Sequence, residues 1–568
     1  MHISISFKSI ISGILILLFS SRFVFASAKI PVHAKHGMVV SASTIASKVG
    51  VEILKKGGNA IDAAVATGFA LAVTYPFAGN IGGGGFMVIH LKNGINTTID
   101  FREKAPGKAY KNMFLDKNGN FEPKLSLEGA TSSGVPGSVA GLIYTLKKYG
   151  TMKLKDVIQP AIELAENGFP LDKNTAESFK EYLHDFRKYP ASFKKFSNNG
   201  EPYKEGEIFK QPELASTLKE IEDKGDDGFY KGKIADLLVQ QIHSLGGYIS
   251  KEDLQNYKPV ERKPVTGTYR GYEIVSMPPP SSGGVALIEM LNILENYNFK
   301  QDDWGSSEYI HKLVEAMKFA FADRTKYLGD PDFVKMPIAE LTSKKYARSI
   351  FEKITNRAIP AHEILPGKFP EFHESMETTH YSVYDGEGNA VSTTTTLNSA
   401  FGSKVVVAGA GFLLNNEMDD FSAKPGVPNQ FGLMGSEANS IQPNKRMLSS
   451  MTPTIVLKDG KPYIIVGSPG GSTIITVVLQ VIMNCIDFNM NIRQAIDMPR
   501  IHDQWLPDEI YYERFALSPD VKNNLIKMGY KFGHERTLGL AEGIMVDNND
   551  GTIYGASDPR GPGSAVGY

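Results

Sequence analysis

The 568-residue sequence predicts a large α+β fold on three observations. Residues 44–56 and 60–73 read as helices, the first closed by Gly57-Gly58 and the second capped by Asn59. Three segments read as β-hairpins: 86–101 about Asn93-Gly94, 378–396 about Glu387, and 454–466 about Asp459-Gly460. Finally, 42% hydrophobic and 22% charged residues is an ordinary globular composition in a chain long enough for a large core.

The opening residues carry Lys8, an apolar run over 10–19 and then Ala26-Ser27-Ala28, the order of a secretory signal peptide. The run is shorter than the roughly 20 residues that a spanning helix needs. Removal after Ala28 and a periplasmic or secreted mature chain are expected. Small residues nearly all round 60–73 predict a buried helix, and Gly82-Gly83-Gly84-Gly85 then leads into the first hairpin, which opens at Arg102. From about 142 to 357, helical stretches such as 307–323 alternate with polar loops and a Pro278-Pro279-Pro280-Ser281-Ser282-Gly283-Gly284 break, and this part reads as scaffold. Residues 359–377 contain three prolines and no period, which predicts an exposed linker that a cleavage reaction can reach.

Lys and Arg number 61 against 62 Asp and Glu, so no net field draws in nucleic acid or an anionic membrane. A small-molecule or peptide partner is expected. Cys485 is the single cysteine, which excludes an intramolecular disulfide and a cysteine metal site; its apolar surroundings place it in the core. The sequence has no G-x-S-x-G elbow and no H-E-x-x-H zinc motif. The glycine run lacks the Lys-Ser/Thr of a phosphate loop, and Asp116-Lys117-Asn118-Gly119 misplaces its glycine for a calcium loop. No metal or cofactor is implied.

The chemistry concentrates after residue 378. A turn centred on Glu387 sets Thr378 opposite Thr396, with side chains about 5 Å apart, and brings Asn398 to the same side. The later hairpin sets Ser449 and Ser450 beside Pro469 and Gly470, and Ser472 stands as cap of an apolar helix over 473–487. Glycines at a helix start expose N–H groups that can hold an anion. A threonine hydroxyl needs a base, and the nearest is its own α-amine once the chain is cut before it, with an ordinary pKa of about 7.7–8.0.

Taken together, Thr378-Thr379-His380, Thr396-Leu397-Asn398, Asn415-Asn416-Glu417-Met418-Asp419-Asp420-Phe421, Ser449-Ser450-Met451 and Gly467-Ser468-Pro469-Gly470-Gly471-Ser472 resemble γ-glutamyltranspeptidase. Arg102-Glu103-Lys104-Ala105-Pro106 also fits, and the resemblance runs from about Ala34 to Asp558-Pro559-Arg560. It implies an N-terminal-nucleophile hydrolase, a four-layer αββα sandwich built jointly by two self-cleavage products. The signal peptide would be 1–28, the large subunit 29–377 and the small subunit 378–568, held together as a heterodimer. The Thr378 hydroxyl would attack the Glu377 carbonyl in the precursor. In the mature enzyme Thr378 would attack the γ-carbonyl of a donor such as glutathione, with Thr396 orienting it and the Gly470 and Gly471 N–H groups holding the oxyanion. The γ-glutamyl group would pass to an amino acid, a dipeptide or water. The resemblance assigns Arg102, Ser449 and Ser450 to the donor carboxylate, and Asn398, Glu417 and Asp420 to its ammonium.

One position departs from the family pattern. Bacterial members with a lid often carry a tyrosine that bonds the equivalent of Asn398, whereas the lid segment here offers Phe431, which can cover the pocket but not make that bond. A less firmly latched lid is expected. Two rivals stand beside this reading: a sibling amidase for β-lactam side chains or poly-γ-glutamate, and a periplasmic binding protein that never cuts itself.

Overall fold

The computed structural model describes residues 30–364, 378–424 and 426–568; the leader 1–28, most of the 359–377 linker and Glu377 lie outside the described residues. Two seven-stranded antiparallel sheets form the centre. The first runs Val32–Ala34, Thr552–Ser557, Glu542–Asp547, Lys461–Gly467, Thr454–Lys458, Tyr272–Ser276, Val265–Tyr269. The second runs Ser564–Gly567, Met38–Ser41, Thr378–Tyr384, Ala390–Thr396, Gly84–His90, Asn96–Asp100, Val260–Arg262.

Each sheet is apolar on both faces, so each needs cover on both sides. Between the sheets, Met38, Val40, Phe86 and Val88 of one meet Ile455, Ile465, Ile544 and Ile553 of the other. Outside the second sheet, Val383, Val391, Met87 and Ile89 pack under the helices Thr44–Lys55, Ala60–Thr74 and Ser138–Tyr149. Outside the first, Ile274, Val456, Ile464 and Val466 pack under Gly283–Leu294, Ser307–Tyr327 and Thr473–Ile486. The layers are helix, sheet, sheet, helix, the αββα sandwich that the family resemblance implied. Helix Ala60–Thr74 is buried at every residue and starts in a reciprocal cap between Asn59 and Asp62. Cys485 is buried as expected, and burial pushes its thiol pKa up.

The period of two along a strand decides what faces the inter-sheet layer. Ser382 and Ser392 reach across to main-chain carbonyls of the opposite sheet, Glu542 at 3.1 Å and Val466 at 3.1 Å respectively. Thr378 and Thr396 have the same parity, so they point the same way at the end of their ladder. Strands from both sides of residue 377 interleave: Thr378–Tyr384 is hydrogen-bonded between Met38–Ser41 and Ala390–Thr396.

Two details differ from the sequence reading. The first hairpin pairs only to His90 opposite Asn96, so residues 91–95 form a wider turn than Asn93-Gly94 alone, closed by Leu91 N donating to Ile95 O at 2.9 Å. In the 454–466 hairpin, a bulge between Val456 and Leu457 shifts the register by one residue, so Thr454 faces Val466.

Where the sheets approach, a methyl added to Gly467 would stand 2.4 Å from the His380 ring. Gly467→Ala is therefore expected to lower unfolding stability by about 1–3 kcal/mol, read from urea denaturation midpoints. An unchanged midpoint would show that the sheets separate freely there.

Candidate active site

Thr378 pairs with Thr396 in the register that a turn at Glu387 demands. Asn80 holds the end of this ladder: its Nδ2 donates to Thr396 O at 2.9 Å, while its Oδ1 accepts from Gly83 N at 2.9 Å and Ser138 Oγ at 2.7 Å. The strand stops at Thr396, so alternation does not carry Asn398 inward. A left-handed turn does, with φ of 74° at Asn398 and its N–H donating to Thr396 Oγ1 at 2.7 Å.

A small polar cavity opens on this ladder end. Of the residues singled out from the sequence, Thr378, Thr396, Asn398, Arg102, Glu417, Asp420, Ser449, Ser450, Phe431 and Gly471 line it. Gly470 does not line it, and Glu377 lies outside the described residues.

Arg102 stands only 1% exposed. Its guanidinium pairs with both Glu417 and Asp420, and Glu103 lies 3.6 Å away. Burial opposes the charge, but Glu417, Asp420 and Glu103 outweigh it and raise the Arg102 pKa. The resemblance placed Arg102 and the two acids in separate recognition sets; the fold joins them as one ion cluster, because the loop after Asp100 and the turn Glu417–Asp420 meet over the ladder end. Burial raises the Glu417 pKa, with Arg102 working against it. Glu103, which sequence reasoning passed over, is fully buried with neither carboxyl oxygen hydrogen-bonded, and burial pushes it up to about 8 against the pull of Arg102.

Ser449 and Ser450 occupy a loop braced by the Pro278–Gly284 break. Ser449 N donates to Pro280 O at 2.9 Å, and Ser282 N and Oγ donate to Ser449 O at 2.8 and 2.7 Å. That break is thus part of the site, not only scaffold. Helix Ser307–Tyr327 runs beyond its expected end at 323 and delivers Arg324 to the cavity wall, a second residue missed. The signal available was a basic residue inside an otherwise apolar helical face.

Gly470 and Gly471 turn the chain with φ of 136° and 54° ahead of helix Thr473–Ile486. Ser472 holds the cap position without capping, because its hydroxyl donates to Gln504 Oε1 at 2.6 Å instead. Gln504 Nε2 in turn donates to Phe431 O at 3.2 Å. The Phe431 ring lies against Gly471, where an added methyl would come within 2.6 Å of its Cδ1. The segment that carries Phe431 therefore has a main-chain tie to the glycine loop that no single motif announced. Among the described residues, no group of three or more His, Cys, Asp or Glu side chains is arranged to hold a metal ion.

His380 lies two residues beyond the candidate nucleophile but is engaged elsewhere, with Nδ1 2.9 Å from Thr394 Oγ1 and Nε2 3.1 Å from Ser382 Oγ. Burial lowers its pKa to about 3, so it stays neutral. The unfolded chain binds this proton near 6.5 and the folded chain near 3, so the stability from a neutral His380 is present above 6.5 and lost as pH falls. His380→Gln is expected to reduce the loss of unfolding free energy between pH 6.5 and 4 by about 1.4 kcal/mol per pH unit. Parallel urea-unfolding profiles for the two proteins would overturn this assignment.

A sandwich of two antiparallel sheets between helices, with a threonine heading an inner strand in a polar cavity, defines the N-terminal-nucleophile hydrolases. Cephalosporin acylase from Bacillus halodurans superposes with a TM-score of 0.85 at 30% identity, covering 96% of this chain and 98% of that chain. γ-Glutamyltranspeptidase from Helicobacter pylori gives a TM-score of 0.57 at 50% identity, covering 62% of this chain and 98% of that chain. The gamma-glutamyltranspeptidase family profile matches residues 46–568. The glutathione hydrolase proenzyme of Escherichia coli (strain K12) is 53% identical over 532 residues, 93% of this chain and 91% of that protein. This chain belongs to the gamma-glutamyltranspeptidase family.

Proposed function

We propose that the chain is a precursor that cuts itself between Glu377 and Thr378 and then acts as a γ-glutamyltransferase and glutathione hydrolase through Thr378. The observation that carries this reading is the pairing of buried Arg102 with Glu417 and Asp420 in the cavity that Thr378 heads. A cation beside two carboxylates matches an amino-acid head group, whose carboxylate and ammonium distinguish a γ-glutamyl amide from a peptide bond. The 53% identity to a glutathione hydrolase proenzyme, against 30% to a cephalosporin acylase, favours γ-glutamyl donors over the sibling amidase reading.

Self-cleavage begins with the Thr378 hydroxyl attacking the Glu377 carbonyl; the amide nitrogen leaves as the new α-amine and water opens the ester. Residues 29–377 and 378–568 then form the two subunits, and the interleaved ladders keep them together as a heterodimer. In turnover the freed amine takes the Thr378 hydroxyl proton as the oxygen attacks the donor γ-carbonyl. The oxyanion is met by N–H groups of the Gly470-Gly471 turn, Gly471 being the one on the cavity wall. Collapse expels the amine, cysteinylglycine when glutathione is the donor, and leaves a γ-glutamyl ester on Thr378. An amino acid, a dipeptide or water then takes the acyl group. Thr396 orients the nucleophile, and Asn398, Glu417 and Asp420 hold the donor ammonium while Arg102, Ser449 and Ser450 hold its carboxylate. The leader 1–28 directs export, which makes the mature enzyme periplasmic or secreted.

Wild-type protein should run as two fragments on a denaturing gel, the shorter beginning at Thr378 by N-terminal sequencing. Thr378→Ala should remain one polypeptide and lose more than about a thousandfold in turnover of a γ-glutamyl anilide. A fully active intact chain would remove the reading. Phe431→Tyr supplies a hydroxyl in the cavity shared with Asn398, so the ratio of transfer to hydrolysis should rise by roughly 2- to 10-fold with an acceptor dipeptide. No change in that ratio would dissociate the lid side chain from water exclusion.

A further inference from the structure

Arg324 is the second guanidinium of the cavity, and its surroundings differ from those of Arg102. It is 5% exposed, yet no carboxylate lies within ion-pair distance of it among the described residues. Its Nε donates to Ser282 Oγ at 3.0 Å and its Nη2 to Ser450 Oγ at 3.3 Å, while Nη1 has no acceptor there. Burial lowers its pKa to about 10, partly offset by Asp420, so it is charged at neutral pH. A buried cation without an ion-pair partner is costly, and an anion in the cavity it lines compensates that cost.

We propose that Arg324 is a specificity-determining positioning residue that makes the site demand a donor bearing an α-carboxylate. It acts through Ser450. With a lone pair of Ser450 Oγ occupied by the guanidinium, the hydroxyl hydrogen is left to donate into the cavity, and the adjacent positive charge strengthens that donation. Arg324 also donates to Ser282, whose hydroxyl holds the Ser449 carbonyl, so one side chain sets both serines of the loop. Arg102 alone is poorly placed to enforce this selection, because its charge is shared with Glu417, Asp420 and Glu103.

This inference rests on the γ-glutamyl reading, and the test separates the two. Processed wild type, Arg324→Met and Arg324→Lys are assayed with L-γ-glutamyl-p-nitroanilide and with 4-aminobutyryl-p-nitroanilide, which lacks only the α-carboxylate. Inhibition constants for L-glutamate and 4-aminobutyrate are measured alongside. Arg324→Met should lower kcat/KM for the γ-glutamyl substrate about 10- to 100-fold, mainly through KM, and weaken L-glutamate binding in step. Turnover or inhibition by the carboxylate-free compounds should stay within about twofold, and Arg324→Lys should recover part of the loss. An equal fall on both substrates and both inhibitors, or no fall on either, overturns the proposal. Should Arg324→Met stay as one polypeptide, Arg324→Lys carries the same comparison. Wild type inert toward the γ-glutamyl substrate would instead sink the function proposed above.

Discussion

The antiparallel ladder between Thr378–Tyr384 and Ala390–Thr396 is the constraint on which the site depends. In a sheet, a slip of one residue turns every side chain to the opposite face. Here the facing serines and His380 make hydrogen bonds between the sheets or along the ladder, so a slip would strand them among helix-facing apolar groups. The cost of such stranded polar groups pins the register, and the register places Thr378 beside Thr396 at the cavity. Asn80 then ties the ladder end to the glycine run and to helix Ser138–Tyr149, so the position is held from the outer layer as well.

Electrostatics take over where the ladder ends. Three acidic side chains, Glu103, Glu417 and Asp420, surround Arg102, and each has its carboxylate pKa raised foremost by burial, with Arg102 pulling the other way. Such a cluster is stable because its members compensate one another. The second guanidinium, lacking an acidic partner, gives the cavity a polarity: acids gather near Arg102, and an unsatisfied donor remains near Ser450. The two ends suit the two charges of one amino-acid head group.

The glycine loop and the segment around Phe431 are joined through Gln504. Gln504 accepts from Ser472 and donates to the Phe431 carbonyl, while the Phe431 ring sits on Gly471. Only a glycine leaves room for the ring there. The Gln504 tie is to the main chain of residue 431 and does not depend on the identity of its side chain.

By itself the sequence determined that the three hairpins exist and that Thr378 pairs with Thr396, because these depend on local turn chemistry and a period of two. It also determined the buried Ala60–Thr74 helix, through its small residues and the Asn59 cap, and ten of the cavity residues through the family resemblance. Tertiary structure alone decided the rest. The Arg102 cluster joins segments separated by more than three hundred residues, the Ser282 and Arg324 braces reach in from a stretch that read as scaffold, and a bulge at Val456 moved a register that turn counting set one residue off. Ion pairs, braces across layers and bulges arise from which surfaces meet when the layers close, and no local propensity encodes that meeting.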